Sequence, residues 1–343
     1  MPTINYAEQY EAALLQEFAY ALYFGALFAT PNNGRYQWLN QETIQIPSIK
    51  TTGRVDGDME TIGTKKRNFQ NSWTPLKVAN HRTWSTLVHP RQIQLTNMVA
   101  SIANITRVFN EEQKIPEMNA YCVSKLFSDY KEAGENPDTT VLTIENILTV
   151  FDSWMSAMDD DRVPRQGRIL YVTPQTRTIL ENAKGIYRTI ATDPANGAIS
   201  RAIQSLDEVR IEPSVPADMM KTLYDFTEGW AVDSNAQQIN MILVDPMAVI
   251  TPIHYEFAQL DPPSAGSDGK YVYFEESFED VFLLPKRSSA IKFNISGAKN
   301  TYTEVTSPSG NPSTQGYFEK NGTSYTLTTD TTVQSGKTYY TKS

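Results

Sequence analysis

The stretch Lys50 to Val78, KTTGRVDGDMETIGTKKRNFQNSWTPLKV, places three acids (Asp56, Asp58, Glu60) just before the densest basic run of the chain, Lys65, Lys66 and Arg67, with Arg54 ahead of both. Side chains of these types make ion pairs. Blocks of opposite sign set register between two strands or between two molecules, giving specificity more than affinity. The segment sits between two stretches patterned to bury a core, yet has almost nothing to bury itself. Its partner surface is therefore expected elsewhere.

No other cluster offers catalysis. SGKT at Ser335–Thr338 resembles the end of a phosphate loop, but Thr331 stands where the leading glycine is required. His81, His89 and His254 share no close metal-ligand spacing, and Cys122 is not near them in sequence. DDDR at Asp159–Arg162 could offer oxygen ligands to a divalent cation, but reads better as a solvated helix end before the turn VPRQG. There is no G-x-S-x-G elbow and no Cys–His signature. Asn104, Asn294 and Asn321 fit a glycosylation pattern that a cytoplasmic protein would not use. The tail aromatics Tyr302, Tyr317, Phe318, Tyr325, Tyr339 and Tyr340 could line a saccharide face, although cross-strand pairing is their commoner use. The expectation is no enzyme, no cofactor and no metal.

The chain of 343 residues is 40% hydrophobic and 20% charged, the composition of a soluble, folded protein with room for two or three domains. A net charge of −9 argues against nucleic acid as the main partner. A single cysteine, Cys122, rules out an intrachain disulfide, implies a reducing compartment and reads as a small buried apolar residue. The apolar run Phe18–Ala29 is too short to span a bilayer, and no secretory signal precedes it.

Several elements must position these groups. Residues 7–28 carry Tyr10, Leu14, Phe18, Ala21, Leu22 and Gly25 at helical spacing, stopped by TPNNG. With Glu8, Glu11 and Glu17 on its polar face, this arm suits a protein partner better than an anionic membrane. Val78–Pro90 has strand composition; 92–134 turns helical, with Pro116 expected to break or kink it. Thr143 is expected to cap an amphipathic helix carrying Ile144, Ile147, Leu148, Phe151, Trp154, Met155 and Met158. GRILYVTP reads as a buried strand, with Thr173 capping a helix that opens on Pro174. Residues 140–240 thus form an α/β unit, and the chain from Met247 to about 295 is β-rich. From Ser296 the last 48 residues turn to Thr, Ser, Gly and Tyr, with a weak repeat aligning Tyr302 with Tyr325 and Tyr317 with Tyr339. Two strand–turn–strand copies imply a small appended β-domain. Arm, charged extension, split core and inserted unit together describe an assembly subunit.

The order of these elements resembles the major capsid protein of tailed bacteriophages, the Hong Kong 97-like fold. The likeness covers about residues 1–295 and is carried by IPEMNAYCVSKL, RILYVTPQTRTIL, LDEVRIEPSVPADMMKT and INMILVDPMAVITPIHYEFAQLDPP. It implies an α+β class with an N-terminal arm (1–45) and an extended loop (E-loop, 46–90), a hairpin lying over a neighbouring subunit. It further implies a peripheral domain with a spine helix (91–139 and 241–295), an axial domain (140–240), and a C-terminal β-rich extension (296–343) outside the common fold. The implied function is a structural subunit that self-assembles into hexamers and pentamers, forming the icosahedral head around phage DNA. The implied partners are itself, a separate scaffolding protein and a portal, with no membrane and no sequence-specific nucleic acid. Arg54, Asp56, Asp58, Glu60, Lys65, Lys66 and Arg67 would then be subunit-interface residues. The chain would reside in the virion after assembly in the host cytoplasm. A tail-tube subunit or an adhesin is the alternative, favoured by the β-rich tail and opposed by the helical segment 92–134.

Overall fold

The computed structural model describes residues 20–40, 42–54, 67–95, 101–184, 191–192, 199–200, 205–297, 302–305, 311, 313–315, 317–321, 324–334 and 337–342. Its centre is a five-stranded sheet in the order Ile291–Ile295, Ile239–Val244, Ile169–Val172, Val209–Ile211, Ser205–Leu206. All neighbours are antiparallel except Ile169–Val172 with Val209–Ile211, which the intervening helix Pro174–Glu181 allows to run parallel. Every residue of Ile169–Val172 is buried, as a strand covered on both faces requires. The Thr173 hydroxyl accepts the Thr176 N–H, and Pro174 occupies the first turn, so this helix begins as expected.

The amphipathic helix spans Ile147–Asp160 and buries Ile147, Val150, Phe151, Trp154, Met155 and Met158. It starts later than expected. The Thr143 hydroxyl accepts the Glu145 N–H at 3.3 Å, and Asn146 Oδ1 accepts the Thr143 N–H at 2.8 Å. That local turn competes with helix, Asn146 takes the N-cap position, and Ile144 is left exposed.

The long helical run is neither broken nor sharply ended at Pro116. Helix Ile102–Phe109 passes through a π-helical turn, Asn110–Lys114, into helix Ile115–Glu132. The Ile115 N–H reaches back to the Asn110 carbonyl, one residue further than in an α-helix. Pro116 has no N–H to continue the ladder, and its ring crowds the carbonyl four residues back; the wider turn relieves both.

The arm departs from expectation more clearly. Residues 7–19 of that expectation lie outside the described residues; of the rest, Tyr20–Leu22 are not helical and Gly25–Phe28 forms one helical turn. The Asn119 side chain replaces the helical ladder. Its amide donates to the Ala21 carbonyl at 2.8 Å, and its oxygen accepts the Tyr23 N–H at 3.0 Å. Phe24 and Leu27 then enter the main hydrophobic cluster, which joins the central sheet to the helices Ile115–Glu132 and Ile147–Asp160.

A second, three-stranded antiparallel sheet contains Ile253–Asp261, Tyr271–Glu279 and His81–Val88. The expected boundaries after residues 45 and 240 both fall inside strands, Thr43–Thr51 and Ile239–Val244. The tail forms a four-stranded sheet ordered Tyr302–Glu304, Tyr339–Lys342, Phe318–Asn321, Ser324–Leu327. The two repeat copies do not each make a hairpin. They interleave, and each strand of one copy pairs only with strands of the other.

Candidate interaction surface

The opening stretch supplies one strand of a hairpin. Thr43–Thr51 pairs with Phe69–Lys77 in unbroken antiparallel register from Thr43↔Lys77 to Thr51↔Phe69. At its root Ile44 and Val78 are fully buried with Ile250 and Phe282, in a cluster separate from the main core. Asp280, only 2% exposed, anchors the exit. One carboxylate oxygen accepts the Ala79 N–H at 2.9 Å; the other accepts the Tyr121 O–H and the Val281 N–H, each at 2.8 Å. The backbone leaving the hairpin is thus tied directly to the long helix. Burial and the Asp280 charge push the Tyr121 phenol well above its ordinary range, so it stays a donor.

Beyond the root the hairpin is exposed on both faces. Paired residues share a face, so Gln45 with Pro75, Pro47 with Trp73, Ile49 with Asn71, and Thr51 with Phe69 line one side. Ile49 is 71% exposed, Phe69 54% and Trp73 42%. The Arg67 guanidinium lies 5.6 Å from the centre of the Phe69 ring, a cation–π contact that extends this strip toward the tip. Arg54 is exposed at the other side of the tip. Asp56, Asp58, Glu60, Lys65 and Lys66 lie outside the described residues. Sequence reasoning read the segment for its charges and missed its apolar strip. The alternation of Pro47, Ile49 and Thr51 against Phe69, Trp73 and Pro75 was the available signal.

The other sequence candidates are occupied structurally. Asp159 holds Arg168 at 2.7 Å and Arg165 at 2.8 Å, and the two guanidiniums keep its carboxyl below the usual range. Arg168 is completely buried and also donates to the Val163 and Pro164 carbonyls. Among the described residues no group of three or more His, Cys, Asp and Glu side chains could hold a metal ion. Cys122 is fully buried, which pushes its thiol up to about 12, so it presents no thiolate. His81 contacts Glu276 at 2.6 Å, and His254 lies against Trp38.

An open groove of about 370 Å³ separates the long helix from the three-stranded sheet. Two ion pairs cross it, Lys114 with Glu275 at 3.0 Å and Arg82 with Glu117 at 2.5 Å, while Glu228 and Glu279 also line it. Trp84 stacks flat on Phe109, ring centres 3.8 Å apart. These contacts fix the helix to the sheet. What the molecule presents outward is an exposed, partly apolar hairpin on a rigid base.

No protein-family model matches the sequence, and no curated protein is similar to it in sequence. Solved structures match by fold, and the fold they define is that of phage capsid subunits, the Hong Kong 97-like fold. The mature capsid of bacteriophage PhiM1 superposes with a TM-score of 0.59 at 13% identity, covering 85% of this chain and 92% of that one. The capsid of cyanophage P-SCSP1u gives 0.56 at 11%, covering 85% and 93%. A structure from Microbacterium phage Oxtober96 gives 0.51 at 12%, covering 84% and 95%. The fold expected from the sequence resemblance is therefore present, at identities far too low to carry residue roles across.

Proposed function

We propose that this chain is a major capsid protein, a structural subunit that associates with copies of itself to close the head of a tailed phage. The carrying observation is the capsid-subunit fold shared over 85% of this chain and over 92% of the PhiM1 capsid chain. An exposed hairpin with an apolar strip, on a base that buries its own core, is what such a subunit needs. Stable contacts between proteins bury roughly 1,200–2,000 Å² in total, and a projecting hairpin adds contact area without enlarging the core.

On this reading residues 46–90 are the extended loop that grips a neighbour. Residues 91–139 and 241–295 form the peripheral domain, 140–240 the axial domain, and 296–343 a surface extension. Arg54, Asp56, Asp58, Glu60, Lys65, Lys66 and Arg67 set register at the contact. Hexamers and pentamers are the assembly units, with a scaffolding protein and a portal as partners and the host cytoplasm as the place of assembly. The role is mechanical, without catalysis. The alternative of a tail-tube subunit or adhesin is not favoured by the capsid fold.

Size-exclusion chromatography with negative-stain imaging of the purified protein tests this. Closed shells or capsomer rings are expected. Tubes, or only a small soluble species under all assembly conditions, would refute it.

A further inference from the structure

We propose that four exposed bases, Arg35, Arg162, Lys286 and Arg287, form a seat for the backbone phosphates of duplex DNA, bound without regard to sequence. The inference rests on the shell-subunit reading above, in which an enclosed genome supplies those phosphates.

The four come from separate parts of the chain and meet at the turn Asp245–Met247. Arg162, Lys286 and Arg287 line a recess of about 250 Å³ beside Met247. The Arg287 guanidinium donates to the Met247 carbonyl, and the Asn32 amide donates to the same oxygen. The Asn32 side-chain oxygen in turn accepts from Arg35 at 3.4 Å, which brings the fourth base to the rim. All four are exposed, and among the described residues none is paired with a carboxylate. The neighbouring Asp159 is engaged by Arg165 and Arg168. In a chain of net charge −9, four unpaired bases at one place are a local reversal of sign.

Arg162 adds a second line of support. It follows the helix Ile147–Asp160 in left-handed backbone, with φ 63°. Its N–H bonds the Asp159 carbonyl and the Val163 N–H bonds the Met158 carbonyl, each at 2.9 Å, a helix closure that favours glycine at this position. A side chain there strains the backbone, yet the Arg162 guanidinium has no partner among the described residues. The folded chain makes no use of the charge it holds at that point.

Two acids share the lining, Asp161 and Asp245. Asp245 is 4% exposed and accepts the Met247 N–H at 2.9 Å, so Asp161 is the one exposed carboxylate of the recess. No large apolar side chain is exposed in it: Val163 and Met247 are half-buried and Ala248 is buried. Protein contacts centre on aromatic and apolar anchors, whereas phosphate contacts need only cations and give affinity independent of sequence. Charge without an anchor selects a nucleic-acid backbone over a protein.

The test is fluorescence anisotropy of a short labelled DNA duplex with full-length, unassembled subunits across a salt series. Arg162→Gly and Lys286→Ser should each weaken binding about tenfold on unrelated sequences and lower the slope of log affinity against log salt by about 1. Arg162→Gly should also raise the thermal midpoint, because glycine relieves the left-handed residue; lost binding in a more stable chain is no folding defect. Asp161→Asn should tighten binding about threefold by removing a repelled charge. Arg91→Ser, at an exposed base on another element, should change it less than about twofold. Equal losses from Arg91→Ser and the recess variants would mean that net charge alone acts, and would overturn the seat. So would tighter binding of poly-glutamate than of the duplex, the mark of an acidic protein partner, or displacement of the duplex by inorganic phosphate beyond that by chloride of equal ionic strength, the mark of a free-anion site. A chain that forms particles but leaves the duplex unbound overturns the seat and keeps the shell reading. One that binds the duplex through these residues yet never forms particles keeps the seat and sinks the shell reading.

Discussion

Asp280 and Glu279 are adjacent carboxylates with opposite consequences. Asp280 accepts hydrogen bonds from Ala79, Tyr121 and Val281, so it is matched although buried. Replacing it with Asn leaves one of these donors facing an NH₂ group. An orphaned buried donor costs about 1–3 kcal/mol. Asp280→Asn should lower stability by that order in denaturant unfolding, and increase hydrogen exchange at the Ala79 amide. An unchanged midpoint would show that the anchor carries no stability. Glu279 is pushed above its ordinary 4.5 by burial first, with the Glu256, Glu117 and Asp280 charges adding to it and Lys114 opposing. A carboxyl raised in the folded state binds its proton more tightly there than in the unfolded chain. Its cost is therefore absent below the ordinary glutamate range and fully present above the raised value. Glu279→Gln should raise the melting temperature at pH 7, by roughly 2–4 °C for each 1 kcal/mol relieved, and leave it unchanged near pH 4. An equal shift at both pH values would contradict the assignment. Neither residue stood out in the sequence, because EESFEDVF shows the acids without showing which backbone donors converge on one of them.

Among the elements, those whose signals are local were legible. Strand Ile169–Val172 is a short β-branched and aromatic run closed by Thr173 and Pro174, and helix Ile147–Asp160 repeats its apolar residues every three or four positions. Departures arose where a distant group or a local change of helix type decided the outcome. Asn119 satisfies the backbone of Ala21 and Tyr23 from nearly a hundred residues away, where Tyr20–Leu22 depart from the expected helix. At Pro116 the chain answers the missing N–H with a wider turn, an option that helical periodicity does not reveal. The hairpin was read as a charged extension and not as an apolar one, because its strip is sparse and shows only once Ile49 and Trp73 are placed on one face by the alternation and the strand register. That alternation leads to a separation of stability from assembly. Ile49→Ser, at a position 71% exposed, removes mainly exposed apolar surface, so the monomer should keep its unfolding midpoint within about 0.5 kcal/mol. Particles should be lost. A variant that melts early would show that the strip supports the fold, not the contact.

For the whole molecule, the described residues of the tail make a sheet of their own. Among the described residues, neither main hydrophobic cluster includes one beyond Ile295, yet Tyr339 is fully buried and Tyr317 is 9% exposed, with their rings 6.0 Å apart. A polar network closes this small core. The Tyr339 O–H donates to Asp330 at 2.7 Å, and Lys337 reaches Asp330 at 2.9 Å and Glu319 at 3.1 Å. The residues of the network come from both repeat copies, as do the strand pairs. Tyr302–Glu304 pairs only with Tyr339–Lys342, and Phe318–Asn321 lies between Tyr339–Lys342 and Ser324–Leu327. The sequence repeat announced two units; interleaving makes them one, because neither copy can satisfy its backbone without the other. Two truncations separate these possibilities. A chain ending after Ile295 should keep the melting behaviour of the main core and still form particles. A chain ending after Asn321 should fold equally well up to Ile295 while its half-tail stays unpaired. Trypsin should cut at Lys320 in that variant at least about tenfold faster than in the full chain, where Lys320 lies in a paired strand. Equal protection of Lys320 in both chains would mean that one repeat folds alone, and the interlocked sheet would have to be abandoned.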